Sequence, residues 1–164
     1  MHQGRDCSEA ATWQHRLACA DCHMPKQELD GKTITSHAFR SPLETVGSSC
    51  ARPGCHAADG QLAGRVRAIQ HMTRDGLKDT AKLLVDAALA LDAAQRRGAT
   101  VEELAQARQF YARAHIRWDW VQSENGQGFH NPAAARRMLD EVRQFAGEAL
   151  ELARAIGRPW NPLA

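Results

Sequence analysis

The sequence predicts an all-α protein in which a loop-rich N-terminal segment is followed by three antiparallel helices, two of them long. Two observations carry this prediction. Turn signals such as Asp30-Gly31 recur over residues 1–60, where little helical period is visible. From Gln61 onwards, apolar residues recur at intervals of three and four, the period of one helix face. We expect the segments 1–60 and 61–164 to form one domain together, since 164 residues suit a single core.

The first predicted helix runs from about residue 61 to 97. Leu62, Val66 and Ile69 begin its apolar stripe. Gly76 interrupts the stripe, and a bend or a split is expected there because glycine weakens a helix interior by about 1 kcal/mol relative to alanine. Gly98 is the residue type expected just beyond the end of a helix.

Two further helices follow after short links. Thr100 and Glu103 have the spacing of a capping box, so the second helix begins after Thr100, and it should end near Asn125-Gly126. Asn131-Pro132 opens the third, with Asn as N-cap and Pro at the first helical position, and Gly157 and Pro159 end it. Short links make neighbouring helices antiparallel. Helices this long exceed what one small core needs, so we expect a homodimer formed through them.

Composition excludes some classes of partner. The net charge is +2 and no long run of one sign occurs, so no nucleic-acid partner is expected. No stretch of about 18 apolar residues occurs, so no membrane span is expected. Aromatic residues make up only 5% of the chain, which suits a core that is partly filled by a cofactor.

Two cysteine-histidine signatures lie in the loop-rich segment, at Cys19-Ala-Asp-Cys22-His23 and at Cys50-Ala-Arg-Pro-Gly-Cys55-His56. The first has the C-x-x-C-H spacing of covalent c-type haem attachment. Two thiols add to the two vinyl groups of one porphyrin, and the next imidazole becomes an axial ligand of the iron. The second has two more residues between its cysteines and keeps the histidine. Together they predict two covalent haem c groups, a multihaem cytochrome c and an electron-transfer role.

An alternative use of the same residues is a zinc site. Cys19, Cys22, Cys50 and Cys55 form two pairs separated by a loop, which is a known zinc pattern, and the protein would then be a zinc-stabilised helical interaction module. A zinc ribbon has no need of the histidine that follows each pair. The fifth cysteine, Cys7, is interpreted as a free thiol.

A haem with two histidine ligands needs a second imidazole from elsewhere in the chain. His130 lies in a glycine-flanked turn that leads into a capped helix, so its backbone is held while its ring is presented, and we interpret it as a ligand. His15 and His37 flank the first signature on loops, within reach of a neighbouring haem. His71 and His115 fall inside helices and are interpreted as surface or core residues.

Localisation is inferred from the chemistry of attachment. Covalent c-type haem is installed on the periplasmic side after export, so a periplasmic protein is expected. Met1 to Asp6 contain no apolar region typical of a signal peptide. Two explanations follow: either this is a mature or truncated piece of a longer chain, or the haem interpretation is wrong.

Several blocks of sequence occur in an order typical of one family. They are Ala20-Asp21-Cys22-His23-Met24-Pro25-Lys26, Thr35-Ser36-His37, Ser41-Pro42-Leu43, the second signature, Arg117-Trp118-Asp119-Trp120, and Ser123 to Pro132. In this order the chain resembles the C-terminal part of pentahaem cytochrome c nitrite reductase, the ammonia-forming enzyme. The resemblance covers nearly the whole chain.

The resemblance implies a set of haem ligands. His23 and His130 would be the axial pair of the haem on Cys19 and Cys22. His56 would bind the haem on Cys50 and Cys55, with His15 as its distal partner. His37 matches a ligand of a haem that the family attaches further upstream.

The chain departs from the family in the catalytic part. It contains no C-x-x-C-K motif, which in the family binds the active-site haem. His2 falls near the position of the family's catalytic histidine, but Gln3-Gly4-Arg5 do not match the expected Pro-Glu. The resemblance thus implies an electron-transfer portion of a nitrite reductase without its catalytic haem, working with an upstream haem domain or a redox partner protein. A self-standing dihaem carrier or subunit is the alternative.

Overall fold

A computed structural model describes residues 18–38, 40–51, 56 and 60–156. The elements in chain order are α1 (Cys19–His23), β1 (Lys26–Leu29), β2 (Lys32–Thr35), a 3₁₀ turn (Pro42–Thr45), α2 (Val46–Ser49), α3 (Leu62–Arg96), α4 (Val101–Ser123) and α5 (Pro132–Ile156). This confirms the predicted class of a loop-rich N-terminal part followed by long helices. No helix of the described part is long and apolar enough to cross a membrane.

Contacts divide the chain into two compact units, whose described parts lie within 18–68 and 69–156. The division falls inside α3 and not at residue 60, where the loop-rich segment ends. The grouping of both segments into one domain stays a prediction.

A small β-hairpin lies in the N-terminal unit. β1 and β2 pair antiparallel, with Lys26 opposite Thr35 and Leu29 opposite Lys32. Asp30 and Gly31 form the two-residue connection, with φ of 50° and 72°. Positive φ at both central positions is the requirement of a type I′ hairpin turn. The strands are short and almost wholly exposed, so they lack the apolar alternation by which a sequence predicts a strand.

The helix α3 is continuous through Gly76, so it does not split there. Gly76 is buried, and a Cβ placed there would lie 2.8 Å from Leu139 Cδ1. Glycine is therefore used for a close approach between α3 and α5. At the end of α3, the N–H of Gly98 donates to Gln95 O (3.0 Å) and the N–H of Ala99 donates to Ala94 O (3.1 Å). With a φ of 92° at Gly98, this is the predicted glycine stop, in the form of a Schellman motif.

The predicted starts of the next two helices are confirmed. Thr100 Oγ1 accepts from the Glu103 N–H (3.2 Å), and Glu103 Oε2 accepts from the Thr100 N–H (2.8 Å), which closes the capping box of α4. Asn131 Oδ1 accepts from the Ala134 N–H (3.0 Å) and caps α5, whose first residue is Pro132. Each cap satisfies an orphan donor at a helix start.

Core contacts show that α3, α4 and α5 are antiparallel neighbours. Leu77 lies near the start of the part of α3 that belongs to the second unit. It packs with Val121 at the end of α4 and with Leu139 near the start of α5. Leu91, towards the end of α3, packs with Leu104 at the start of α4. Ala153, near the end of α5, joins that second cluster. Direction therefore reverses at each link, as predicted.

The link between α4 and α5 packs tightly on α3. Gly128 is buried at a φ of 82°. A Cβ at this position would overlap Thr73 Oγ1 of α3 and lie 3.3 Å from Ala135 Cβ of α5. Gly98 has a similar φ of 92°, but a Cβ there would meet open space. The two glycines therefore share a backbone requirement and differ in their surroundings.

This difference gives a matched pair of substitutions. Gly98→Ala should cost about 1–2 kcal/mol of unfolding free energy, because an L-residue is strained at positive φ. Gly128→Ala should cost about 2–4 kcal/mol, because overpacking adds to the same strain. Urea denaturation of both variants measures the difference, and equal losses would show that the contact of Gly128 with Thr73 contributes nothing.

Candidate functional site

The first signature lies on α1, a short helix. Cys19 and Cys22 are one helical turn apart, so their thiols project from the same side. Asp21 Oδ2 accepts from the Ala18 N–H (2.7 Å) and fixes the start of the helix. Cys19 and His23 are exposed and Cys22 is half-buried. The helix thus presents two thiols and the adjacent imidazole at the surface of its unit.

The second signature begins where α2 ends. The N–H of Cys50 donates to Val46 O (2.8 Å), so this cysteine closes the last turn of the helix. Cys50 and His56 are both half-buried. Within the unit, α2 contacts both α1 and β1. The start of the second signature is therefore close to the helix that bears the first.

His37 follows the hairpin directly and is exposed. The N–H of Ser36 donates to Pro25 O (2.9 Å), which ties the base of the hairpin just before His37. The structure does not describe His2, Cys7, His15 and Cys55, nor Gly157 and Pro159, which were predicted to end the third long helix. Their proposed roles stay predictions.

The thiols of Cys19, Cys22 and Cys50 are not in disulfides. In the described part of the chain, no group of three or more His, Cys, Asp and Glu side chains is placed to hold a metal ion. The proposed zinc ligands therefore do not converge among the described cysteines, while Cys55 lies outside them.

His130 is held by a carboxylate in the link between α4 and α5. Glu124 Oε1 lies 2.7 Å from His130 Nδ1. The same carboxylate accepts from the backbone N–H of Gly126 (2.7 Å) and of Gly128 (2.6 Å). Glu124 is the residue that caps the end of α4. One carboxylate thus joins a helix end, a glycine-containing turn and an imidazole.

The surroundings of Glu124 favour its ionised form. Partial burial raises the pKa of this carboxyl, but hydrogen bonds from Gly128, His130 and Gly126, with the positive charge that His130 can carry, outweigh burial and lower the pKa below its usual value. An ionised carboxylate only accepts hydrogen bonds, so Nδ1 of His130 must carry the proton. In the neutral imidazole, Nε2 is then the nitrogen that carries the lone pair.

Cys19, Cys22 and His23 fit the attachment of a c-type haem, and His130, taken by itself in the other unit, has the features of a metal-binding histidine. Cys19 and Cys22 offer two reduced thiols on one helical turn, with the imidazole of His23 next to them. His130 is 44% exposed and has its Nδ1 engaged by Glu124. A metal-binding histidine almost always donates its other ring N–H to a carboxylate, a carbonyl or water, which fixes the tautomer and the orientation of the ring.

Glu124 is absent from the residues that sequence analysis predicted for the site. The one sequence feature that links Glu124 to the site is its position, six residues before His130. The glycines between them allow the chain to fold back, but the number of residues alone does not say that it does.

Replacing Glu124 by Gln tests the role of the carboxylate. We expect a loss of about 1–3 kcal/mol of unfolding free energy at pH 7, since hydrogen bonds to a charged acceptor are weakened at three donors. The folded pKa is lowered, so this contribution is complete above the ordinary glutamate pKa and is lost as the pH falls through the folded value. The difference from wild type should therefore shrink below about pH 4.

Urea denaturation at pH 7 and at low pH measures this difference, and nitrogen-15 NMR of His130 reports the tautomer. Glu151→Gln, at an exposed carboxylate of α5, is the matched control and should be nearly neutral. A difference that does not change with pH would contradict the assigned role of the Glu124 charge.

Comparison with known proteins places the chain in a family. The cytochrome c552 family model matches residues 7–159. The NrfA subunit of cytochrome c nitrite reductase from Nitratidesulfovibrio vulgaris is 34% identical over 145 residues, which cover 84% of this chain and 28% of that protein. Cytochrome c-552 from Haemophilus influenzae is 34% identical over 128 residues, which cover 75% and 23%.

The same relation appears in three dimensions. The solved structure of cytochrome c nitrite reductase (NrfA) from Desulfovibrio desulfuricans matches with a TM-score of 0.73 and 32% identity, covering 85% of this chain and 30% of that one. The chain spans less than a third of the length of these relatives. The family match includes both signatures and His130, so the resemblance seen in the sequence is confirmed. The chain belongs to the cytochrome c552 family and is a nitrite reductase-like cytochrome c.

Proposed function

We propose that this chain is a dihaem electron-transfer portion of an ammonia-forming cytochrome c nitrite reductase, and that its residues do not themselves reduce nitrite. The observation that carries the proposal is the carboxylate-oriented imidazole of His130, in a chain that also has two cysteine-histidine signatures. Relatives named cytochrome c nitrite reductase support the substrate, nitrite, for the whole protein. A self-standing dihaem carrier is the alternative.

Each ligand has an assigned role. Cys19 and Cys22 would bind one haem covalently, with His23 and His130 as its axial ligands. The other haem would be held by Cys50, Cys55 and His56, with His15 as its distal ligand, while His37 would serve a haem outside this chain. When bound, haem supplies a one-electron iron couple. With an imidazole on each side of the iron, these residues would leave nitrite no open position.

Location and partners follow from covalent attachment. We place the protein in the periplasm, because that is where c-type haem is attached after export. Its partners would be a redox protein or an upstream haem domain that supplies or accepts electrons.

A homodimer through the long helices is part of the proposal. Val85 and Leu89 are 56% and 61% exposed and lie one turn apart on α3, and Ile116 and Trp120 are 67% and 53% exposed and lie one turn apart on α4. Apolar pairs of this kind on helices that are already packed on their other face are available to a second copy.

Sedimentation velocity tests the dimer. A double glutamate variant at Val85 and Leu89, or one at Ile116 and Trp120, should weaken association at least about tenfold, because an unpaired charge would be buried. Val101→Glu is the matched control, at a 66% exposed residue outside both pairs. A wild type that is monomeric at all concentrations, or no effect of either double variant, would contradict the dimer.

Haem content tests the proposed function. The chain, exported together with the maturation system for c-type cytochromes, should carry two haems by the pyridine haemochrome assay. Serine at both Cys19 and Cys22, or at both Cys50 and Cys55, should remove one haem. His130→Ala should leave the haem count at two and allow one haem, when reduced, to take carbon monoxide, because its distal position is then open.

His71→Ala is the control for this experiment, since His71 is an exposed histidine of α3 and should leave the spectrum unchanged. A protein without haem would disprove the proposal. Nitrite turnover by this chain alone would show that the catalytic centre is encoded here after all.

A further inference from the structure

Side chains of α3 contact the turn that bears His130. Arg74 Nη1 donates to Gln127 Oε1 at 2.7 Å, and Gln70 Nε2 donates to Gly126 O at 3.4 Å. Thr73, on the same face of α3, lies against Gly128. Three residues of one helix therefore contact three consecutive residues of the turn.

Gln127 has a backbone that its residue type rarely adopts. Its φ is 51°, in the left-handed region, where a non-glycine side chain costs free energy. Such a conformation persists where the surroundings hold it in place. The hydrogen bond from Arg74 is a side-chain contact that can hold it, beside the backbone bond from the Gln127 N–H to Glu124 O at 3.0 Å.

The charged guanidinium of Arg74 donates its hydrogen bond to a neutral amide, the side chain of Gln127. Among the ion pairs of the described residues, none includes Arg74, and the side chain is half-buried. A charged donor makes a stronger hydrogen bond than a neutral one. A half-buried guanidinium directed at one glutamine side chain is a means of fixing that glutamine.

We propose that Arg74 is a positioning residue for His130, acting through Gln127 and Glu124. By fixing Gln127 it fixes the N–H groups of Gly126 and Gly128 on either side. Those two groups orient the Glu124 carboxylate, and the carboxylate orients the imidazole. The inference rests on the proposed function, in which His130 is a haem ligand.

The chain of contacts has a direct consequence for the ligand. If the turn loosens, the imidazole samples more directions, and it leaves the iron more often. Arg74 does not touch the imidazole, so the haem should still be attached and His130 should still be its ligand. The effect is on how long the ligand stays bound.

Arg74→Met in the haem-loaded protein tests the proposal. Carbon monoxide binding to the reduced His130-liganded haem requires that His130 first dissociates. Its rate should rise about three- to tenfold, at or below the low end of the 10–100-fold effects typical of residues that support metal ligands directly. The electron paramagnetic resonance spectrum of the oxidised haem, which depends on imidazole orientation, should broaden or shift.

Matched variants separate positioning from general stability. Arg97→Met removes an exposed arginine just beyond α3 and should change neither readout. Arg74→Lys keeps a charged donor and should restore part of the wild-type rate. Gln127→Asn keeps an amide on a residue that tolerates positive φ, but it is too short for Arg74. It should reproduce the effect of Arg74→Met and serves if that variant does not fold.

The outcomes distinguish this inference from the proposed function. Two haems per chain with unchanged carbon monoxide rates and spectra in both Arg74→Met and Gln127→Asn would overturn the inference alone. A wild type without haem, or a His130→Ala variant that takes no carbon monoxide, would overturn the ligand assignment and the inference with it.

Discussion

Close packing on small side chains is the constraint on which the helical unit depends. Among the described residues, the core is rich in alanine, and seven alanines are completely buried: Ala87, Ala94, Ala107, Ala114, Ala146, Ala149 and Ala153. Gly76 extends this pattern, because Leu139 occupies the space that a side chain would need. Small residues let helix backbones approach closely, and close-packed interiors tolerate little change in volume. The glycine in the middle of α3 is therefore required by tertiary packing, which outweighs its unfavourable helix propensity.

The same close packing positions the turn at residues 126–128, which leads to His130. Because α3 lies directly against residues 126–128, its polar side chains reach the turn: Thr73 contacts Gly128, and Arg74 reaches Gln127. The backbone N–H groups of Gly126 and Gly128 in this turn then donate to the Glu124 carboxylate. Helix packing, turn geometry and the direction of the His130 ring are thus one connected arrangement. A loosely packed bundle would leave the imidazole attached to a mobile link.

Local signals explain what the sequence predicted well. The capping box at Thr100, the Asn131 cap and the glycine stop at Gly98 each involve residues within a few positions of one another, and the structure places all three where their sequence patterns indicate. The antiparallel order then followed from the short links. Contacts between residues that are far apart in the sequence have no such signal. Arg74 and Gln127 are 53 residues apart, and the role of Glu124 depends on a turn that closes only because both neighbouring helices support it.

Sequence spacing identified the haem chemistry for a related reason. C-x-x-C-H is a local pattern, since one helical turn is enough to place both thiols and the following imidazole. A distal ligand comes from elsewhere in the chain, so no local spacing predicts it. The turn around His130 and the family resemblance predict His130 as such a ligand. Neither predicts the Glu124 carboxylate that supports it. Membership of a cytochrome c family implies covalently attached haem, but it does not say how firmly each ligand is held.

The firmness of the His130 turn bears on which chemistry suits this part of the chain. Electron transfer is fastest when the ligands of the metal rearrange little between oxidation states, and a histidine anchored through Glu124 to two backbone N–H groups has little freedom to rearrange. Reduction of a bound substrate makes the opposite demand, because one axial position must be open or must exchange. Under the proposed function, a histidine with a carboxylate on one ring nitrogen and a turn packed against α3 would stay bound to its iron. The packing of the helices would then favour electron delivery over substrate binding at that iron.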